Sequence, residues 1–171
     1  MQENNFGVKL LRLGFTNNYM EDKMETLNIY LVGGMQKFEK KDFDESNYWR
    51  VHIEHELMKL DCGRQTRICN PNDYYSFYDN SPRYSTMREV MEFDLNKVRN
   101  SDLIIVNFNN DLKSLDTMTE LTIAYEHRIP VLGLCTDENY SMLHPRQKEM
   151  SNRIFGDIDE LIEYVIEYYV V

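Results

Sequence analysis

Asp102-Leu-Ile-Ile-Val-Asn107, Ser114-Leu-Asp-Thr-Met-Thr-Glu-Leu-Thr-Ile-Ala124 and Ile129-Pro-Val-Leu-Gly-Leu134 follow one another in the chain, and their reading decides the fold. The first and third runs are short and apolar throughout, as in strands buried on both faces. The middle run opens a helical pattern, predicting a helix over 117–127 between strands at 102–108 and 130–134. Open sheets built from such units collect ligands beyond the carboxyl ends of their strands. Glu120 stands at that place, in the expected first turn of the helix.

The same alternation extends in both directions. Upstream, Leu27-Asn-Ile-Tyr-Leu-Val32 is β-rich and ends at Gly33-Gly34. Trp49, Ile53, Leu57 and Leu60 recur at steps of three or four, giving one apolar helix face that stops before Gly63. Lys40, Lys41, Asp42 and Asp44, ahead of it, have the character of an exposed loop. Thr66-Arg-Ile-Cys69 is a weak short strand closed by Asn70-Pro71, and residues 70–84 form a polar, tyrosine-rich loop. Thr86-Met-Arg-Glu89 has capping-box spacing and starts a helix carrying Val90, Phe93, Leu95 and Val98. Downstream, a loop with His144-Pro145 leads to Asp157, which caps a last helix bearing Ile158, Leu161, Ile162, Val165 and Ile166. The expectation is one α/β, doubly wound, flavodoxin-like domain over 26–171. It has four or five parallel strands and four helices on both faces. Residues 1–25 form an N-terminal extension, whose Val8–Phe15 segment reads as an extra strand or a partner contact.

Composition limits the function. The chain has 171 residues, 42% hydrophobic and 28% charged, enough for a single real core. Lys+Arg 19 against Asp+Glu 29 gives a net charge of −10, a field that repels a nucleic-acid backbone but leaves small anionic ligands accessible to local donors. Cys62, Cys69 and Cys135 form no C-x-x-C pair and read as reduced thiols of a cytoplasmic protein. No apolar stretch approaches the ~20 residues of a membrane span, and the N-terminus lacks a secretory pattern. His52-Ile-Glu-His55-Glu lacks the spacing of a helical zinc site. No metal or cofactor motif stands out.

Several spaced features together resemble the nucleoside 2-deoxyribosyltransferases and their nucleotide N-hydrolase relatives. Ile29-Tyr-Leu-Val-Gly-Gly-Met35 is similar to the family's opening I-Y-L-A-G-[GP]. Trp49-Arg50 and Asn70-Pro71 match a W-R and an N-P of its short branch. Asp94-Leu-Asn-Lys-Val-Arg-Asn-Ser-Asp102 resembles D-L-x-x-I-x-x-S-D, and Ser114-x-x-Thr117-x-x-Glu120-x-x-x-Ala124 resembles S-x-G-T-x-x-E-x-x-x-A. The resemblance covers Leu27 to Leu134. It departs at Asp116, where the family has glycine, which puts a negative charge at the expected 5′ end of a nucleotide.

The resemblance implies cleavage of the bond between base and deoxyribose. Glu120 corresponds to the nucleophile, and Asp94 to the general acid, which needs a proton near neutral pH. Tyr30 corresponds to a tyrosine that orients the nucleophile, and Ser114 to a contact at the 5′ end of the sugar. Gly33 and Gly34 allow the first loop to approach the substrate, Asp116 and Thr117 flank its path, and Arg50 points toward substrate or a partner carboxylate. The implied partner is a small nucleoside or nucleotide, and the implied assembly a homodimer or larger homo-oligomer. A second base attacking the intermediate makes a transferase, and water makes an N-hydrolase. Read alone, the residues leave plainer roles open. Thr117-x-x-Glu120 is itself a capping-box spacing, Asp94 suits a solvated helix face, and Tyr30 a core position. The loop Asp73-Tyr-Tyr-Ser-Phe-Tyr78 suits either base stacking or a subunit interface. A non-catalytic nucleotide-binding module and an enzyme cleaving the nicotinamide–ribose bond of NAD remain as rival functions.

Overall fold

A computed structural model describes residues 26–34, 40–60, 63–74, 86–109 and 113–171, with the backbone alone for 40–46. The expected N-terminal extension, Cys62 and residues 75–84 of the tyrosine-rich loop lie outside that set. Five strands form one parallel sheet: β1 (Leu27–Val32), β2 (Thr66–Cys69), β3 (Leu103–Asn107), β4 (Val131–Leu134) and β5 (Arg153–Phe155). Their spatial order is β2-β1-β3-β4-β5, the flavodoxin-like doubly wound order. The direction of winding reverses between β1 and β3, so the crevice opens beyond the carboxyl ends of those two strands.

Alternation along β1 assigns its side chains to two layers. Leu27, Ile29 and Leu31 pack in a cluster with Trp49, Ile53 and Leu57 of α1 (Lys40–Met58) and Leu161, Ile162 and Val165 of α6 (Ile158–Val165). Tyr30 and Val32 face the other way. They join Val98 of α2 (Met87–Arg99) with Leu121 and Ala124 of α3 (Leu115–Glu126). At roughly 1.5–3 kcal/mol for each fully buried large apolar side chain, these two clusters are the main attractive force of the fold. Asp102 sets the register of the two central strands: its Oδ2 accepts from the Asn28 N–H at 2.8 Å and from Asn28 Nδ2 at 3.0 Å.

Two expected caps form. Thr86 and Glu89 make the reciprocal box that starts α2, and Asp157 Oδ1 accepts from the amides of Asp159 and Glu160 to start α6. Three expectations need correction. Lys40 to Asp44 belong to the backbone of α1 rather than a loop, because a charged first turn continues without a break into the amphipathic part. Helix α3 begins at Leu115 rather than 117, since Ser114 caps it and accepts the Thr117 N–H at 3.2 Å. The stretch between β4 and α6 contains two short helices, α4 (Asp137–Tyr140) and α5 (Pro145–Glu149), so the described residues hold six α-helices rather than four. The fifth strand, within the expected four or five, is β5 in the same stretch, whose three residues bury only Phe155 fully and so give no apolar run. No described helix is long and apolar enough to cross a membrane.

The end of the chain closes over the start of the sheet. After α6 a wider helical turn, Ile166–Val170, brings the Val170 carbonyl to the Arg64 amide at 2.8 Å. Gly63 makes this possible, with φ of 88° and a position where an added Cβ would lie 2.7 Å from the Val170 oxygen. Gly63→Ala therefore combines left-handed strain with a backbone clash. It is expected to destabilise the protein by about 1–3 kcal/mol, visible as a lowered urea midpoint with unchanged slope.

Candidate active site

Helix phase brings two carboxylates to the crevice. On α3 the buried positions Thr117, Leu121 and Ala124 define the inward stripe, and Glu120 lies on it. On α2, Asp94 is one turn before buried Val98 and therefore faces the same layer. Glu120 is not the third residue of its helix, as a capping role requires. That position belongs to Thr117, and Glu120 sits in the second turn with its side chain toward the sheet.

The two acids meet at Tyr30. This residue is fully buried on the α2–α3 side of β1, and its hydroxyl lies 3.0 Å from Glu120 Oε1 and 3.1 Å from Asp94 Oδ1. Burial, and next the negative charge of Asp94, push Glu120 from the ordinary 4.5 up to about 8; the Tyr30 hydrogen bond and Arg50 oppose this, while Asp116 adds to it. Burial, Glu120 and Asp94 hold the Tyr30 hydroxyl well above its usual range, so it stays a phenol. Cys69, beside Tyr30 on β2, is pushed up to about 11 chiefly by burial and is a thiol rather than a nucleophile at neutral pH.

Arg50 approaches from the opposite layer. It is fully buried, stacks 4.5 Å over the Trp49 ring and donates from Nη2 to the Gly33 carbonyl at 2.9 Å. Its Nε and Nη1 have no hydrogen-bond partner among the described residues. Desolvation lowers it from 12.5 to about 10, which leaves it charged, and that charge reaches both Tyr30 and Glu120. A Cβ on Gly33 would stand 3.1 Å from Arg50 Nη2 and 3.2 Å from Trp49 Cζ2, so the glycine makes room for this pair. Gly34 is partly buried beside it.

Of the expected site residues, Tyr30, Asp94 and Glu120 are in contact, and Arg50, Gly33 and Asp116 adjoin them. Ser114 and Thr117 serve the start of α3. Asp116 is exposed in the first turn of that helix. His52 pairs with Asp159 at 2.9 Å, and no group of metal-binding side chains occurs among the described residues. One element went unforeseen in the sequence. Asn109 Oδ1 accepts from the Thr136 amide at 2.8 Å and Asn139 Nδ2 at 3.1 Å, tying the loop after β3 to the start of α4. The Asn-rich run after β3 was the available signal, since asparagine favours such turns.

The sequence matches no family model and no curated protein. Solved structures do match in shape. A conserved protein from Enterococcus faecalis V583 superposes with a TM-score of 0.64 at 19% identity, over 84% of this chain and 99% of that one. A 2-deoxyribosyltransferase from Bacillus psychrosaccharolyticus gives 0.60 at 15%, over 80% and 91%. A 2-deoxyribosyltransferase from Leishmania mexicana gives 0.56 at 20%, over 84% and 99%. The fold is thus the one that nucleoside deoxyribosyltransferases adopt.

Glu120 also couples the site to stability. Its folded affinity for protons exceeds that of an exposed carboxyl, so the folded state binds more protons and stability falls as pH rises from about 4.5 to about 8. Glu120→Gln is expected to remove this slope. Chemical denaturation should find the variant more stable than wild type at about pH 8, with the difference shrinking toward pH 5.

Proposed function

We propose that this protein cleaves the N-glycosidic bond of a 2′-deoxynucleoside through a covalent deoxyribosyl–Glu120 intermediate, passing the sugar to another base or to water. The observation that carries this reading is the meeting of Glu120 and Asp94 at one tyrosine hydroxyl, at the switch point of a sheet shared with two 2-deoxyribosyltransferases. Contacts of 3.0 and 3.1 Å through one oxygen keep those carboxyl oxygens within about 6 Å. Inverting acid–base pairs stand roughly 6.5–9.5 Å apart to hold a water, so the closer spacing favours a carboxylate that attacks directly.

In the reaction, ionised Glu120 attacks the anomeric carbon as the bond to the base breaks. The bonding electron pair leaves on the base, which takes a proton from Asp94. In this reading Gly33, Gly34, Ser114 and Thr117 border the sugar and its approach, and the positive charge of Arg50 steadies ionised Glu120. Asp116 adds negative charge near Glu120, which favours an uncharged 5′-hydroxyl over a 5′-phosphate.

A panel of deoxynucleosides and their 5′-monophosphates, assayed for free base with and without an acceptor base, tests the proposal. Glu120→Ala is expected to lose base release by several orders of magnitude with its fold intact; retention of wild-type release by that variant refutes the mechanism. Recovery of one intact bound nucleotide, never cleaved, would instead mark a sensing module. Asp116→Gly is expected to raise use of the monophosphate relative to the nucleoside by roughly tenfold, the equivalent of about 1.4 kcal/mol.

A further inference from the structure

A phenol carries one hydrogen, yet the Tyr30 oxygen lies within hydrogen-bond distance of two carboxyl oxygens. If both acids were ionised, two anions would compete for that hydrogen across a buried oxygen, with like charges a few ångströms apart. One added proton removes the conflict: the protonated carboxyl donates to the Tyr30 oxygen, and Tyr30 donates to the other. Two arrangements satisfy the chain. The extra hydrogen sits on Glu120, with Tyr30 donating to Asp94, or it sits on Asp94, with Tyr30 donating to Glu120. Only the second holds an ionised nucleophile beside a protonated, neutral acid that can donate.

The geometry points to Tyr30 as a proton relay that converts the first arrangement into the second when substrate enters. The Glu120 proton passes to the Tyr30 oxygen as the Tyr30 proton passes to Asp94 Oδ1. Both O–H bonds that break are replaced, Tyr30 ends as the phenol it began as, and one proton has moved from Glu120 to Asp94. Tyr30 thereby becomes a catalytic group and not merely a clamp on the nucleophile, a step that rests on the function proposed above.

The surroundings suit such an exchange. Arg50 from α1 lies on the side that favours an ionised Glu120, and Asp116 from the first turn of α3 opposes it. Cys69 of β2 adjoins Tyr30 and Asp94, and Lys97 of α2 is the cation near that thiol, seated over the Tyr74 and Phe93 rings. Asp73, beyond the end of β2, adds negative charge near Cys69, and Glu54 of α1 is a further carboxylate whose charge reaches Arg50. Substrate that excludes solvent from the crevice lowers the dielectric around Glu120 and strengthens the pull of the Arg50 charge on it, which drives the proton toward Asp94.

The test uses leaving groups that differ in their need for a proton. Ordinary deoxynucleosides need one, whereas the base of 7-methyl-2′-deoxyguanosine is already cationic and departs neutral. Tyr30→Phe, which keeps the packed ring, and Asp94→Asn are both expected to lose about 10²- to 10⁴-fold on ordinary deoxynucleosides. Both should return to within about tenfold of wild type on the methylated one. Glu120→Ala should fail on both. If Tyr30→Phe is equally impaired on both substrates, the tyrosine only orients Glu120 and the relay is wrong; full activity on both also overturns it. Infrared difference spectra read the shared proton without turnover. Wild type should show a protonated-carboxyl stretch at neutral pH that Glu120→Gln removes, because the remaining carboxylate then accepts the Tyr30 hydrogen alone. A wild type without that band overturns the relay even if it is active. A wild type with the band that cleaves no substrate refutes the proposed function instead.

Discussion

Tyr30 is the point at which the fold and the chemistry meet. Its ring is a core residue in the middle of the sheet, and its hydroxyl is the only part of it that finds polar company among the described residues. Removing a hydroxyl from water without a partner costs roughly 1–3 kcal/mol by mutational measure, so the carboxyl oxygens of α2 and α3 are part of what makes a tyrosine tolerable there. The dependence runs the other way too. Two acids this close and this dry repel one another, and the phenol between them is what lets both stay. The helices are thus held to the same strand by apolar contact below and by a shared hydrogen-bond chain above.

That arrangement is not an economical way to build a stable protein. Glu120 raised to about 8 and Arg50 lowered to about 10 each record burial working against a charge. A core of the same shape filled by apolar groups would avoid both penalties. Strained electrostatics of this kind concentrate where a protein handles ligands. Here they occur at the crevice, not in the layer between α1 and α6, which below Arg50 is a plain packing of leucine, isoleucine, valine and aromatic rings.

Much of the fold was legible because its central strands are unbroken apolar runs. The alternation of Ile29, Tyr30 and Leu31 already carried the division into two layers. What escaped did so for physical reasons. Strand β5 is three residues long and stabilised by its neighbour rather than by its own pattern. The start of α3 was ambiguous because Ser114 and Thr117 both stand three residues before a plausible partner, and only the tertiary fold selects the first. Arg50, expected to reach substrate or a partner carboxylate, is instead fully buried, held by the ring of Trp49 and the Gly33 carbonyl; arginine is seldom so buried. Glu120, Asp94 and Tyr30 were marked by resemblance, not by periodicity. From spacing alone a cap and a solvated acid were the favoured readings of Glu120 and Asp94, and a core ring was as good a reading of Tyr30 as a functional one.

The two outer strands have a consequence of their own. β2 is four residues long and β5 three, and each turns an arginine, Arg67 or Arg153, to solvent. A rim so brief and so charged gives an incoming chain few free amides and carbonyls to zip onto. Among the described residues the sheet therefore ends in two short, charged margins, which disfavour growth of the ribbon from one copy into the next.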